Sequence, residues 1–194
     1  MSEVSLSSPS RAPRADAARN RERLLAAAKA VFTAGGAEAS LEAVARRAGV
    51  GIGTLYRHFP TREALFEAVY RREVDELAAL AEHLRDETPA QALRLWVKAN
   101  VEFVATKKGM AAALAVAAHT KDLSAYSYER LTAAAAGLLE RARAAGALRV
   151  ELRPEELFRA LIGMCLVHDQ PGWQATVIRL MDVFLDGMLA PERS

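Results

Sequence analysis

The sequence has little of what several other classes of protein require. Its only cysteine, Cys165, rules out a disulfide within the chain and fits a reducing compartment. No run of about 18 apolar residues without charge occurs, so the sequence predicts no membrane-spanning helix. The first residues lack the apolar stretch of a secretory signal. We therefore expect a cytoplasmic protein.

Residues that interrupt helices are also scarce. The 194 residues include seven prolines and eleven glycines, whereas Ala, Leu, Glu and Arg dominate. We find no internal repeat and no alternation of apolar and polar residues that would indicate strands. Because 52% of the residues are apolar, a substantial core can form. The sequence predicts an all-α fold of one domain or two small ones.

Patterns that carry catalysis or hold metals are missing as well. The four histidines, His58, His83, His119 and His168, form no HExxH motif and no i, i+4 pair. There is no GxxxxGK phosphate loop, and the "GIG" at residues 51–53 follows no strand, as a dinucleotide site would require. No nucleophile and base stand in a recognisable arrangement. We expect no enzyme activity, no cofactor and no metal.

Charge is distributed unevenly along the chain. Residues 1–63 carry ten Lys or Arg against six Asp or Glu, whereas residues 64–194 carry sixteen against eighteen. A small basic module joined to a larger, slightly acidic one is a plausible plan for a nucleic-acid-binding protein with a second role. A solvated surface would give the same asymmetry by chance about as often, so the pattern alone decides little.

The basic part predicts three short helices after a disordered arm at residues 1–15. Apolar residues at helical spacing run from about Asp16 until Gly35 and Gly36 interrupt them. Ser40 would cap a second helix that Gly49 ends, and a third begins at once. Two helices of about eight residues must therefore cross over a turn of three to four residues, which is the geometry of a helix-turn-helix.

The third helix, "GIGTLYRHFP" at residues 51–60, begins with two glycines, which have no side chain, and continues with basic and aromatic side chains. Gly51 and Gly53 would let the helix start approach a phosphate, which its free amides and dipole attract. Leu55 and Phe59, four residues apart, would face the small core. The polar side chains left on the outer surface are Thr54, Tyr56, Arg57 and His58.

The stretch "SLEAVARRAGVGIGTLYRHFPTREALFEAV", residues 40–69, resembles the DNA-binding signature of the TetR family of bacterial transcriptional regulators. The resemblance implies a helix-turn-helix domain at residues 16–61, followed by a helical ligand-binding and dimerisation domain at residues 62–194. It also implies that Tyr56 and His58 contact phosphates. Arg62, where the family commonly has lysine, would hold another phosphate through a forked donor.

Where the family usually has polar residues, this chain has Gly51 and Ile52, so we expect little direct base readout. Ile52 and the Thr54 methyl would touch thymine methyls, and Arg57 is the best candidate for a guanine edge. Arg11 and Arg14 would either enter the minor groove or belong to a merely solubilising tail. The predicted DNA-binding residues are Ser40, Gly51, Ile52, Gly53, Thr54, Tyr56, Arg57, His58 and Arg62.

Helical periodicity continues to the end of the chain and predicts about nine helices in total. Thr61 would cap a long fourth helix, residues 62–84, that bridges to the second domain. The later helices are predicted at about 90–105, 109–119, 123–145, 154–168 and 172–189.

One helical face of the second domain places an amide between aromatics, with Trp96, Asn100 and Phe103 at i, i+4 and i+7. This pattern fits a ligand pocket among helices, and it fits equally well a core asparagine bonded to backbone. Tyr126 and Tyr128 cannot both face such a pocket, and Cys165 is expected in the core. The other candidate lining residues are Met110, Leu114, His119, Tyr126, Met164, His168 and Trp173.

The last two helices carry more apolar surface than one intramolecular seam needs, which predicts a homodimer through a four-helix interface and a palindromic operator. We expect a repressor whose ligand displaces the bridging helix. Two alternatives remain: an architectural DNA-binding protein without a ligand, and a helical ligand-binding protein whose DNA motif is vestigial. The apolar residues in question are Leu157, Phe158, Leu161, Ile162 and Leu166, then Val177, Ile178, Met181, Val183, Phe184, Leu185 and Met188.

Overall fold

The computed structural model describes residues 11–35, 39–114, 120–167 and 170–190, and these residues form an all-helical protein. Two compact units divide the chain, Met1–Val69 and Tyr70–Ser194, so that the division falls within the fourth helix. The α-helices are α1 (Arg11–Gly35), α2 (Leu41–Ala48), α3 (Ile52–His58), α4 (Arg62–His83), α5 (Pro89–Leu114), α6 (Thr120–Ala144), α7 (Pro154–Val167) and α8 (Trp173–Met188).

The first helix begins earlier than its apolar periodicity predicts. It starts at Arg11 rather than near Asp16, so Arg11 and Arg14, assigned above to the disordered arm, have a helical backbone. Pro13 stands in the first turn, where the backbone amides have no partner within the helix and the missing N–H of proline costs nothing. Residues 1–10 of the predicted arm lie outside the described residues.

The core of the first unit is built from one face of each of its helices. Leu24 and Phe32 of α1 are buried, as are Val44 of α2 and Leu55 of α3. Phe66, near the start of α4, packs against Phe32 with 5.5 Å between ring centroids. Burial of side chains of this size stabilises the unit by about 1.5–3 kcal/mol each and fixes how α2 and α3 cross.

The start of α4 is capped as predicted, because the Thr61 hydroxyl accepts a hydrogen bond from the amide of Ala64 at 3.1 Å. The other end of α4 continues into a single 3₁₀ turn, Leu84–Asp86. Arg141 of α6 donates from Nη2 to the carbonyls of Leu84, Arg85 and Glu87 at 3.1–3.2 Å. An arginine from another helix thus bonds to carbonyls of the 3₁₀ turn and of Glu87 just after it, where the regular α-helical pattern has ended.

The fifth helix corrects the predicted boundaries. The break expected between residues 105 and 109 is wrong, because α5 runs without interruption from Pro89 to Leu114. Gly109 costs only about 1 kcal/mol inside a helix, which tertiary packing readily overrides. The described residues accordingly contain eight α-helices rather than about nine. Residues 115–119, the end of the predicted sixth helix, lie outside them.

Packing of α7 and α8 divides the apolar residues expected at a dimer interface into two sets. Those turned into the chain's own core are Leu157, Phe158, Leu161, Val177, Met181, Leu185 and Met188. Ile162, Ile178 and Phe184 are half-buried, and Leu166 and Val183 are exposed. The buried seven pack within the chain, and the five that stay at least partly exposed are those left for the expected dimer, which remains a prediction.

The chain after α8 folds back onto the connection between α6 and α7. An isolated β-bridge pairs Leu148 with Leu189, and the amide of Ala190 donates to the carbonyl of Ala147 at 2.8 Å. Within the described ranges, no helix is both long and apolar enough to cross a membrane.

Candidate functional site

The turn between α2 and α3 is fixed by glycine chemistry. Gly49 adopts a left-handed φ of 65°. Its amide donates to the Arg46 carbonyl at 3.1 Å, and the amide of Val50 donates to the Ala45 carbonyl at 3.0 Å. This is the hydrogen-bond pattern of a Schellman motif, which ends a helix and turns the chain sharply. The predicted helix-turn-helix is therefore present, with α3 as its second helix.

Ser40 acts as the expected cap of α2, since its Oγ accepts a hydrogen bond from the amide of Ala43 at 3.1 Å. The start of α3 is different. Gly51 is its N-cap residue and supplies no side-chain hydrogen bond. The first amides of α3 are therefore left without a side-chain partner, which is what a helix N-terminus needs in order to bind a phosphate.

The outer face of α3 is open. A Cβ added at Gly51 or Gly53 would meet nothing within 4 Å. Ile52 is 38% exposed and Tyr56 is 45% exposed, large values for residues of their size. Leu55, with Phe59 just after α3, is buried as predicted. The sequence pattern thus assigned the inner face correctly, whereas of the four residues expected outside, Tyr56 and Arg57 are exposed and Thr54 and His58 are half-buried.

Arg57 and His58 occupy this surface in different ways. The guanidinium of Arg57 lies along its own helix, with Nε donating to the Gly53 carbonyl at 3.2 Å and Nη2 to Thr54 Oγ1 at 3.3 Å. To reach a base edge it must exchange these two exposed bonds, each of which contributes little in water. His58 is half-buried, and its ring centroid lies 6.3 Å from that of Phe59.

Arg62 is the one predicted DNA-binding residue that the structure turns towards the protein. It donates from Nη1 to the carbonyl of Ala39, and its guanidinium carbon lies 5.4 Å from the centroid of the Phe32 ring. These contacts tie the start of α4 to the residue before the α2 cap. The intramolecular role was not predicted, because its partners lie 23 and 30 positions away and no local pattern marks them.

Two arginines of α1 also support the site without any signal in the sequence. Arg23 donates from Nη2 to the carbonyl of Gly49 at 3.5 Å. Arg21 stacks over the Phe59 ring at 4.7 Å, a cation–π contact just beyond the end of α3. Both arginines thus contact the helix-turn-helix, one at its turn and one just after α3.

In the second unit, the predicted pocket residues Trp96 and Asn100 are joined to each other. Trp96 is fully buried and donates from Nε1 to the Leu77 carbonyl at 3.1 Å. The Asn100 amide nitrogen donates to the Trp96 carbonyl at 2.9 Å. Phe103 is half-buried and packs against Tyr70 of α4, with 5.5 Å between ring centroids. The three residues therefore share one side of α5 that meets α4.

Tyr126 is engaged within the protein. Its hydroxyl donates to Asp75 Oδ1 at 2.7 Å, and Arg130 Nε donates to the same oxygen at 3.1 Å. The guanidinium of Arg71 lies 4.5 Å from the Tyr126 ring centroid. Burial, followed by the hydrogen bond to Asp75, raises the pKa of the Tyr126 phenol above its ordinary value. We name these four residues the α4–α6 latch.

The remaining residues singled out in the sequence of the second unit, where the structure describes their side chains, lie on α6, α7 and α8. Tyr128 is exposed, with its ring edge against Phe158. Trp173 is buried at the start of α8 and Met164 is half-buried on α7. Cys165 is buried, as predicted for a core residue. The side chains of Met110 and Leu114, and all of His119 and His168, lie outside the described residues.

A groove of about 410 Å³ that the sequence pattern did not indicate lies between the start of α5 and the end of α8. Arg94 lines it and pairs with two carboxylates of α8, with Asp182 at 2.9 Å and with Asp186. The hydrogen bond to Asp186 is the main cause that raises the Arg94 pKa further. Across the ranges that the structure describes, no group of three His, Cys, Asp or Glu could hold a metal ion.

A capped α2, a glycine-controlled turn and a short α3 with an open outer face define a helix-turn-helix protein of the DNA-binding class. Two family models cover most of the chain. Residues 24–69 match the bacterial regulatory proteins of the tetR family, and residues 88–190 match the C-terminal domain of SbtR-like transcriptional regulators. The chain belongs to the TetR family and is a DNA-binding transcriptional regulator rather than an enzyme.

Solved structures of similar proteins support this assignment over nearly the whole length. A TetR transcriptional regulator from Streptomyces coelicolor is 44% identical, with a TM-score of 0.78 over 89% of this chain and 99% of that one. A TetR regulator from Mycobacterium vanbaalenii is 33% identical, with a TM-score of 0.73 over 92% and 99%.

Among curated relatives, the transcriptional repressor KstR of Mycolicibacterium smegmatis is 40% identical over 80 residues, which is 40% of this chain and 39% of KstR. KstR of Rhodococcus jostii is 36% identical over 76 residues, 39% of this chain and 36% of that protein. The chain thus matches only about two fifths of the length of these relatives.

Proposed function

We propose that this regulator is a homodimeric repressor that occupies a palindromic operator and leaves it when a small apolar or amphipathic ligand binds. The observation that carries the proposal is the outer face of α3. Exposed side chains there lie beside Gly51 and Gly53, and a Cβ added at either glycine would meet no atom within 4 Å. That surface fits a DNA groove better than it fits any intramolecular contact.

Recognition would combine backbone, phosphate and base contacts. The bare start of α3 and the hydroxyl of Tyr56 would hold phosphates, while Ile52 and the Thr54 methyl would touch thymine methyls. Arg57 would exchange its two exposed intrahelical bonds for a guanine edge. Arg62 would act chiefly by holding the start of α4 against the residue that precedes the N-cap of α2, because it donates a hydrogen bond to the Ala39 carbonyl.

Dimerisation would use the apolar residues that α7 and α8 leave uncovered. Leu166 and Val183 are both more than half exposed, and Leu180 is also exposed. Gly163 and Gly187, one on each helix, meet nothing within 4 Å of an added Cβ and would allow a partner helix to approach closely. Two such helix pairs about a two-fold axis would give the four-helix interface and hence a palindromic site.

Ligand response would act through α4, which is one continuous helix across both units. Its Phe66 packs on Phe32 in the first unit, and its later turns bond to α5 and α6 through the Leu77 carbonyl and Asp75. A ligand among those helices would shift α4 only by its different affinity for two arrangements, typically 1–3 kcal/mol of coupling. The matched curated relatives named as repressors support repression rather than activation.

Footprinting on the DNA that flanks the gene, with purified protein and candidate apolar ligands, tests the proposal. We expect a protected palindrome whose protection is lost when an effective ligand is added. Tyr56→Ala should abolish protection, whereas Tyr128→Ala, an exposed tyrosine of the second unit, should not. Protection of many unrelated sequences with a steep salt dependence would indicate an architectural protein, and no protection at all would indicate a vestigial motif.

A further inference from the structure

Asn100 of α5 is a buried amide of which one polar atom is hydrogen-bonded and the other is not. It is 1% exposed. Its Nδ2 donates to the Trp96 carbonyl at 2.9 Å, while Oδ1 has no partner among the described residues. Because the Trp96 carbonyl can only accept, this bond fixes the orientation of the amide. The open group is therefore the carbonyl oxygen, an acceptor.

The neighbours of Asn100 along its own helix offer this oxygen no hydrogen bond. Trp96, Val97, Val101 and Val104, which lie within one turn of Asn100 on α5, are all buried and apolar. A carbonyl that is removed from water without receiving a hydrogen bond opposes folding, and native proteins rarely keep one without a reason. An acceptor retained at such a site is a candidate for recognition of a bound donor.

The same side of α5 becomes more accessible towards its C-terminal part. Phe103 and Lys107, three and seven residues after Asn100, are both half-buried. Tyr70 packs against Phe103 and accepts a hydrogen bond from Lys107 Nζ at 3.4 Å. The face thus runs from a closed end at Asn100, past an aromatic pair, to a polar edge at Lys107, about 10 Å away by helical rise.

We propose that Asn100 selects the ligand of this regulator, and that the ligand carries a neutral hydrogen-bond donor, a hydroxyl or an N–H, on an apolar body. The donor bonds to Asn100 Oδ1 and the body lies towards Phe103. A carboxylate or an ether at that point would face an acceptor with an acceptor. The inference rests on the proposed ligand response and names the chemical group of the ligand that the protein would recognise.

The first test needs no ligand. Asn100→Leu replaces an amide whose carbonyl lacks a partner by an apolar side chain of similar size, so we expect the melting temperature of the free protein to rise by a few degrees. Trp96→Phe, which removes a buried bond that is satisfied, should lower it. A clear fall for Asn100→Leu would show that the carbonyl is already bonded, and would overturn the proposal.

The second test uses pairs of probes in which the hydroxyl donor of one member is replaced by a methyl ether in the other: 4-propylphenol against 4-propylanisole, and 1-octanol against methyl octyl ether. Titration calorimetry on the full-length wild-type protein should show roughly tenfold tighter binding of each donor, the usual effect of one buried hydrogen bond. Asn100→Leu should bind both members of a pair equally. If the wild-type protein shows no preference for the donor in either pair, Asn100 does not select the ligand.

Operator footprinting separates this inference from the proposed function. If other apolar compounds release the operator but the donor preference is missing, only the role of Asn100 fails. If no compound of any kind releases it, the ligand response itself fails. Release by the phenol but not by the anisole, lost in Asn100→Leu, supports both.

Discussion

Arg23 and Gly49 are joined by a hydrogen bond between Nη2 and the glycine carbonyl, with 3.5 Å between the atoms and 26 residues between the positions. The contact places a guanidinium of α1 against the turn of the helix-turn-helix. A Cβ at Gly49 would stand 2.6 Å from that same Nη2, and the backbone there has a φ of 65°. The left-handed backbone therefore demands glycine, and a methyl group there would in addition displace the exposed Arg23 guanidinium from its hydrogen bond.

Gly49→Ala should destabilise the protein by about 1–2 kcal/mol, measured as the free energy of unfolding in urea. Most of this cost comes from the left-handed backbone, and the rest from displacing the exposed Arg23 guanidinium. In an Arg23→Ala background the clash disappears, so the same substitution should cost less, and the difference measures the coupling. An unchanged free energy for Gly49→Ala would contradict the described turn.

Gly53→Ala should have the opposite effect on stability and a large effect on DNA binding. An added methyl meets nothing in the protein, so helix propensity should stabilise it by up to about 1 kcal/mol. The same methyl would keep the backbone of α3 away from DNA and weaken operator affinity, measured by fluorescence anisotropy. Gly137→Ala is the matched control, since a Cβ added at this α6 glycine also meets no atom within 4 Å. It should stabilise the protein without changing its affinity for DNA.

Short-range patterns predicted the helix-turn-helix well. Ser40 as a cap, Gly49 as a terminator and the burial of Leu55 and Phe59 all depend on residues within one or two turns of one another. The extent of α5 was not predictable in this way, because a glycine such as Gly109 lowers helix propensity only slightly and does not by itself mark a helix end.

Side-chain partners far apart in the sequence were beyond prediction for the same reason. The hydroxyl of Tyr126 bonds to Asp75, 51 residues away, and Arg62 bonds to Ala39. Periodicity identified the apolar residues of α7 and α8, but which of them face the chain's own core depends on how the helices pack, and only the structure shows that Val183 is left outside.

Val183→Asp tests the proposed dimer. Val183 is 66% exposed on α8, so an aspartate there should leave the fold of the monomer intact and yet place charge inside the interface. We expect a monomer by sedimentation velocity and a loss of operator affinity of at least tenfold. Val150→Asp is the control, because Val150 is 55% exposed but lies in the connection before α7. A dimer that survives Val183→Asp would exclude this surface.

Tyr126→Phe tests the α4–α6 latch, and the pH dependence of the free energy of unfolding identifies the contribution of its hydroxyl. Loss of the bond to Asp75 should cost about 1 kcal/mol, given that both groups are partly solvated. The pKa of Tyr126 is raised in the folded protein, so the contribution of this phenol is fully present below about pH 10, its ordinary pKa, and is lost as pH rises through the folded value. As pH rises above about 10, the free energy of unfolding should therefore fall more steeply in the wild type than in Tyr126→Phe. As a control, Tyr128→Phe should show the same pH dependence of the free energy of unfolding as the wild type. If Tyr126→Phe also showed the pH dependence of the wild type, the hydroxyl of Tyr126 would not join α6 to α4.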